Sequence, residues 1–170
     1  MIGSRAAVFV AIASTLMLTP AFAQAQTATT GLTARPASKP PAVTYLYPEQ
    51  ISLQAGKATT VALHFRIAPG LHINSHNPRA EELIPTTLSI PEGSGVRLES
   101  AIYPSGVDFA LPIDPSTKLN VYTGEFAIKA RVVATAGNHL VEARLRYQAC
   151  DDNACMPPKT ITAAIDVIGN

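Results

Sequence analysis

The sequence is poor in aromatic residues and cysteine, and it has no block of like charges. It contains no tryptophan and 2 cysteines, whereas proline occurs 14 times. This composition favours strands and loops over helices. The 13 basic and 12 acidic side chains are spread along the chain and give a net charge of +1. Because there is no basic run, neither nucleic acid nor an anionic surface is an expected partner.

Only the N-terminus has a long apolar run, and no second run follows it. Ala6–Leu18 forms this run, Arg5 precedes it, and Ala21–Ala23 is a small-residue cleavage site. The run is shorter than the roughly 20 residues that span a bilayer. Residues 1–23 are therefore predicted to be a secretory signal peptide, cut after residue 23 or 25, with an uncleaved anchor as the alternative. No cysteine directly follows the cleavage site to carry a lipid, so we expect a soluble periplasmic protein.

Two further segments follow the signal peptide. Residues 24–41 are rich in Thr, Ala and Pro and have little to bury, which predicts a flexible leader. Residues 42–170 have the usual size of one domain and can bury a core without the help of a disulfide.

Within residues 42–170, apolar and polar side chains alternate. Such alternation is typical of strands with one buried and one solvated face. The alternating segments are 58–67, 125–134, 139–149 and 160–168, with 86–91 and 96–104 as further candidates. In 139–149 the buried face is either Leu140 or the set Val141, Ala143, Leu145 and Tyr147.

Turn signals lie between these segments, and only residues 51–55 or 79–83 could form a short helix. Seven or more short strands at this spacing predict an all-β fold, an immunoglobulin-like antiparallel β-sandwich. A closed barrel is the alternative.

The connection from Tyr103 to Val121 is long for a loop and carries Phe109, Leu111 and Ile113 among prolines. A passive linker would be polar. We therefore expect these apolar side chains to cover another part of the molecule.

Both cysteines occur in the stretch RYQACDDNACMPP, residues 146–158. As a staple, a Cys150–Cys155 bond would contribute only about 2 kcal/mol, against about 4.7 for a loop of a hundred residues. A redox-active pair needs one accessible sulfur and a second nearby thiol, and a C-x4-C stretch provides both. A local structural bridge and two buried free thiols are the alternatives.

The neighbours of the cysteines refine this prediction. Asp151 and Asp152 place negative charge beside the thiols, which raises a thiol's pKa and favours a reducing couple. Tyr147 is expected on the strand side of the pair, where it would limit access. Pro157 and Pro158 would stiffen the exit of the loop.

The stretch YQACDDNACMPPKTI, residues 147–161, resembles the active-site hairpin of the N-terminal periplasmic domain of the thiol:disulfide interchange protein DsbD family. GLHINSHNP, followed by PTTLSIPEG, is similar to the middle strands of that family. VYTGEFAIKARV is similar to its next segment. The likeness extends from about residue 43 to residue 168.

This resemblance implies an immunoglobulin-like fold with a cysteine pair that shuttles electrons. By position, Cys155 would form the mixed disulfide with partners and Cys150 would resolve it. The partners would be thioredoxin-like proteins or domains and a membrane electron donor, met by transient mixed disulfides. An aromatic residue would cover the pair, with Phe109 as the candidate and Leu111 or Ile113 as substitutes. We expect no cofactor, no metal, and a monomer.

Three other functions are alternatives to thiol–disulfide exchange. His72 and His76, with His64 a strand earlier, could bind copper or zinc together with a cysteine, although histidines in a loop are usually solvated. A cysteine hydrolase would need a base such as His139, which no motif supports. An immunoglobulin-like binding module with a structural disulfide is the main rival. It would keep its partner after Cys155→Ser, whereas electron transfer would stop.

Overall fold

The computed structural model describes residues 40–47, 50–112 and 114–170. The predicted signal peptide, the predicted leader up to residue 39, and Ile113 lie outside the described residues. Within the described ranges the chain forms strands and turns and no helix. None of these residues belongs to a helix long and apolar enough to cross a membrane.

Twelve strands make up the described part of the chain. In chain order they are β1 (Val43–Leu46), β2 (Gln50–Leu53), β3 (Thr59–Ile67), β4 (His72–Asn74), β5 (Thr87–Ser89), β6 (Val96–Ile102), β7 (Val107–Leu111), β8 (Asp114–Tyr122), β9 (Glu125–Ala134), β10 (Gly137–Tyr147), β11 (Ala149–Cys150) and β12 (Lys159–Gly169). Neither segment considered for a short helix is helical, because residues 51–53 belong to β2 and residues 79–83 form a turn.

The strands assemble into three four-stranded sheets. The first has the order β1-β3-β9-β6, the second β2-β12-β10-β5, and the third β11-β4-β8-β7. The pairings are antiparallel except the one between β2 and β12. The third sheet contains both the first cysteine of the motif, Cys150 in β11, and the apolar segment around Phe109 in β7.

The first two sheets pack face to face over a core made by the predicted alternation. The buried hydrophobic residues of their longest strands are Leu63, Phe65, Ile67, Phe126, Ile128, Ala130, Val132, Ala134, Val141, Ala143, Leu145, Tyr147, Ala163, Ile165 and Val167. A void of about 10 Å³, close to the smallest space that holds one water, is lined by side chains of both sheets. The predicted fold class, an all-β immunoglobulin-like antiparallel sandwich, is confirmed.

A row of aromatic rings connects the third sheet to this core. Phe126 stacks on Phe65 at 5.4 Å and on Tyr122 at 5.0 Å between ring centroids. Phe126 and Phe65 belong to the first sheet, whereas Tyr122 ends β8 of the third. Stacked rings at this spacing contribute beyond the area they bury, so the third sheet is anchored on the sandwich at Tyr122.

The prediction of a long loop between Tyr103 and Val121 is wrong, because most of it forms the cap hairpin, β7 and β8. Phe109 pairs with Leu119, and Val107 pairs with Val121, which is fully buried. The prolines that suggested a loop lie outside or near the ends of the strands, where a missing N–H costs no ladder bond.

The assignment of the buried face of β10 leads to a stability prediction. Leu145→Ala is expected to lower the free energy of unfolding by about 2–5 kcal/mol, because it leaves a cavity at a position with 0% exposure. Leu140→Ala, the same change on the same strand at 73% exposure, is the control and should cost less than about 0.5 kcal/mol. Urea denaturation followed by circular dichroism measures both. Equal losses would contradict the assigned face.

Candidate functional site

The two cysteines face each other across a tight turn, the cysteine hairpin (residues 149–156). They form a disulfide with their Cα atoms 4.0 Å apart. The Met156 N–H donates to the Ala149 carbonyl at 2.8 Å, and the Asp151 N–H donates to the Ala154 carbonyl at 3.0 Å. The backbone of the turn is therefore closed by hydrogen bonds as well as by the sulfur–sulfur bond.

Asp151 shapes this turn with its side chain. Its Oδ1 accepts the backbone N–H groups of Asn153 and Ala154, each at 2.8 Å. An aspartate that bonds the backbone two or three residues on is a common turn former. Asp151 therefore has a structural role that the sequence analysis did not assign, while Asp152 is exposed.

The two cysteines differ in accessibility. Cys150 is 1% exposed and lies in β11, whereas Cys155 is an exposed residue on the returning side of the turn. Any large molecule that approaches the disulfide therefore meets Cys155 first.

A partly buried network of side-chain amides holds the cysteine hairpin against β4. The Gln148 Oε1 accepts from the Asn74 side-chain amide at 3.0 Å and from the Ile84 N–H at 3.2 Å. The Gln148 Nε2 donates to the Met156 carbonyl at 3.3 Å. Asn74 is fully buried and also donates to the Ile84 carbonyl at 3.1 Å. One glutamine thus ties the exit of the hairpin to the neighbouring strand.

Backbone pairing places a histidine directly opposite the buried cysteine. In the β11–β4 ladder, Ala149 pairs with Ile73 and Cys150 pairs with His72. His72 is 2% exposed, so the expectation that the histidines of this segment are solvated in a loop is wrong. Burial lowers the pKa of His72, and the charges of Asp152 and Asp151 oppose this shift without cancelling it.

The ring of Phe109 covers His72. The two ring centroids are 4.2 Å apart and the planes are tilted by 35°. Phe109 comes from β7, at the opposite edge of the third sheet from β11. Beside this ring pair lies an open cleft of about 520 Å³ whose lining includes His72, Phe109 and Asp152.

The base of the cap hairpin is fixed by polar contacts. The Tyr122 hydroxyl donates to the Pro104 carbonyl at 3.1 Å and accepts the His76 N–H at 3.1 Å. An exposed ion pair joins Arg79 to Asp108, next to Phe109. These contacts lie at the base of the hairpin, near the start of β7 and the end of β8.

The other predicted site residues differ in how far they are buried. Tyr147 is 1% exposed in the core, and its hydroxyl bonds the backbone at Val43; burial raises the pKa of that hydroxyl. Pro157 is exposed, and Leu111 is partly buried on the same strand as Phe109.

The remaining histidines that were considered as ligands have structural contacts. The His76 ring stacks on Tyr103 at 3.7 Å, and its Nδ1 lies 2.9 Å from the Thr86 carbonyl oxygen. His64 makes an edge contact with Tyr47 at 5.6 Å. The described ranges contain no group of three or more His, Cys, Asp or Glu side chains arranged to hold a metal ion.

Sequence reasoning considered His72 only as a metal ligand, and it missed Asn74 and the role of Gln148. The signal for Gln148 was present, since it belongs to the Tyr-Gln-x-Cys stretch. His72 and Asn74 flank the apolar Ile73, but a three-residue strand is too short for alternation to reveal.

Comparison with known proteins identifies the family. The chain matches the family described as thiol:disulfide interchange protein DsbD, N-terminal, over residues 42–166. It is similar to the reduced DsbD N-terminal domain of Neisseria meningitidis, with 18% identity, a TM-score of 0.44, and coverage of 64% of this chain and 77% of that one. It is also similar to the N-terminal periplasmic domain of ScsB from Proteus mirabilis, with 16% identity, a TM-score of 0.48, and coverage of 73% of this chain and 44% of that one. No curated protein matches the chain significantly.

The family match spans most of the sequence and includes both cysteines, which form a disulfide in the structure. The resemblance noted in the sequence is thereby confirmed. The chain belongs to the DsbD N-terminal domain family and is a thiol–disulfide exchange module.

Proposed function

We propose that the chain passes reducing equivalents in the periplasm, from an upstream thiol donor to thioredoxin-fold clients, by opening and reforming the Cys150–Cys155 bond. The observation that supports this most directly is the unequal exposure of the two cysteines. Cys155 is exposed and Cys150 is 1% exposed. Exchange needs one sulfur that is open to attack and a second thiol nearby that resolves the mixed disulfide.

The disulfide adds little to the stability of the domain, which also supports a redox role. A loop this short contributes about 2 kcal/mol in the chain-entropy model. The backbone hydrogen bonds at Asp151 and Met156 already close the same turn. A bond that the fold does not need for its stability can be broken and remade.

The two half-reactions follow from this arrangement. A donor thiolate attacks Cys155 Sγ, the Cys150–Cys155 bond breaks, and Cys150 leaves as a thiolate. The donor's second thiol then displaces Cys155, so the donor is oxidised and the pair is reduced. Toward a client, Cys155 attacks the client disulfide, and Cys150 then attacks Cys155 and releases the reduced client. Two electrons pass in each half-reaction, first from the donor to the pair and then from the pair to the client.

The periplasmic location rests on two supports. The sequence begins with a predicted signal peptide, and a disulfide persists in an oxidising compartment. In that compartment a membrane electron donor is the proposed source of reducing equivalents, and it meets the chain through a transient mixed disulfide.

The cap hairpin is proposed to guard the pair. Phe109 lies over His72, which is the cross-strand neighbour of Cys150. A ring in this position keeps small oxidants and solvent from the buried sulfur, and a docked partner would displace it. Leu111 lies two residues further along the same strand and is the second candidate for this role.

A trapping experiment tests the proposed relay. Cys150→Ser removes the resolving thiol, so Cys155 should remain joined to its partner when the full chain is expressed in its own periplasm. We expect a thioredoxin-fold protein in the covalent complex, identified by mass spectrometry after non-reducing electrophoresis.

Cys155→Ser is the matched control, because it leaves the buried thiol in place and should trap almost nothing. A partner that binds the Cys155→Ser chain as well as the parent, with no covalent complex from Cys150→Ser, would favour a non-catalytic binding module.

The charges beside the pair predict its redox potential. Asp151 and Asp152 disfavour a thiolate at the cysteines, so the reduced form lacks the stabilisation that makes strong oxidants. We expect a potential at or below about −200 mV, measured by equilibration with glutathione and alkylation of free thiols. A value of about −120 mV, as in the strongest oxidants, would contradict the proposed role as an electron donor to clients.

Removing the cap ring tests its guarding role. Phe109→Ala should increase the rate at which hydrogen peroxide or oxidised glutathione oxidises the reduced pair several-fold. Val107→Ala is the control, since Val107 lies on the same strand but is 52% exposed. Equal oxidation rates in the parent, Phe109→Ala and Val107→Ala would mean that the ring does not shield the sulfurs.

A further inference from the structure

His72 and Cys150 are direct partners in the antiparallel ladder between β4 and β11. Directly opposite residues project from the same face of a sheet, with Cβ atoms about 5 Å apart. The register of the two strands therefore places the His72 imidazole next to the Cys150 thiol of the reduced pair. The family match does not account for this histidine, and the exchange steps above do not use it.

One nitrogen of this imidazole lacks a partner. Within the described residues, His72 Nε2 and Asn74 Oδ1 are the buried side-chain atoms that make no hydrogen bond. A buried acceptor without a partner destabilises the fold, so a nearby donor is favoured. In the oxidised hairpin Cys150 Sγ carries no hydrogen and cannot donate. Opening the disulfide gives Cys150 an S–H donor on the face where His72 lies.

The charges around His72 suit a proton acceptor. Burial lowers its pKa, so the imidazole is neutral near neutral pH, while Asp151 and Asp152 attract the positive charge of a protonated ring. The charged residues described in the lining of the adjacent cleft are Arg66, Glu125 and Asp152. Arg66 and Glu125 form an ion pair with each other at 2.7 Å, and Phe109 adds an apolar ring from β7.

We infer that His72 Nε2 accepts the Cys150 proton when Cys150 resolves a mixed disulfide at Cys155. This inference rests on the proposed exchange function. Proton transfer to Nε2 leaves a thiolate at Cys150, which attacks Cys155 Sγ. The Cys150–Cys155 bond forms, the Cys155–client bond breaks, and the client sulfur leaves with the electron pair. The imidazolium or water then protonates that sulfur.

The consequence is a distinct pH dependence of the resolving step. A buried thiol without a base must wait for its own ionisation, so its rate rises about tenfold per pH unit below a thiol pKa of about 8.5. With His72 as base, the rate is nearly constant between the pKa of His72 and that of the thiol. It falls only in acid, where the imidazole is already protonated.

A reagent disulfide separates the two chemical steps. The reduced full chain is mixed with excess 5,5′-dithiobis(2-nitrobenzoate), and the released nitrothiobenzoate is followed by absorbance in a stopped-flow instrument. The first phase, attack by exposed Cys155, scales with reagent concentration. The second phase, resolution by buried Cys150, does not. Both phases are measured at several values between about pH 6 and 8.5.

His72→Gln keeps a polar side chain of similar size but removes the basic nitrogen. We expect the first phase to stay within about twofold of the parent and the second to slow by about tenfold or more near pH 6.5. The second phase should also acquire the steep pH dependence of an unassisted thiol. His64→Gln, at an exposed histidine of β3, is the control and should match the parent in both phases.

The outcomes separate the two proposals. A normal first phase with a second phase unchanged by His72→Gln in both rate and pH dependence overturns the role of His72 and leaves the exchange function standing. A parent chain whose Cys155 does not react, although both thiols titrate after denaturation, overturns the exchange function and this inference together.

Because His72 is buried, a second measurement uses the unsubstituted protein. Nitrogen NMR of the His72 ring is recorded as a function of pH in the oxidised and reduced states. We expect reduction to shift the Nε2 resonance and to change the ring's titration, since Cys150 becomes its hydrogen-bond partner. Identical titration curves in the two states would refute the inference whatever the variants do.

Discussion

The backbone ladder between β11 and β4 is the contact on which the rest of the site depends. Two residue pairs form it, and one of them joins Cys150 to His72. Strands in a sheet lie about 4.8 Å apart, so this pairing fixes which side chains meet the buried sulfur. On its other side β4 pairs with β8, and β8 pairs with β7. The cysteine hairpin and the cap hairpin are therefore opposite edges of one sheet.

This arrangement combines a buried sulfur with an aromatic ring that is carried by an edge strand. Gln148 and Asn74 tie the cysteine hairpin to β4 through partly buried hydrogen bonds of their side-chain amides. β7 is the last strand of its sheet, so Phe109 can leave His72 without breaking the β11–β4 ladder. A partner that displaces the ring would find Cys155 exposed and Cys150 in an unchanged position behind it.

The sandwich and the redox pair were predictable from local patterns, whereas the strands of the cap hairpin and the burial of His72 beside Cys150 were not. Alternation over nine or more residues in β3, β9, β10 and β12 identified their buried faces, because burial of one face repeats every second residue. Prolines near the ends of β7 and β8 suggested a loop. The segment forms a hairpin instead, in which the buried residues Leu119 and Val121 of β8 pair with β7. A buried histidine in a three-residue strand leaves no periodic signal at all.

The amino-acid sequence by itself determined the all-β class, the spacing of the cysteines and the family to which the chain belongs. These features depend on residue order within short windows, through the period of a strand and the reach of a turn. Tertiary structure alone decided that Cys150 is buried while Cys155 is exposed, and that His72 and Phe109 lie together beside the pair. The residues concerned are some 40 to 80 positions apart, and only the pairing of distant strands brings them into contact.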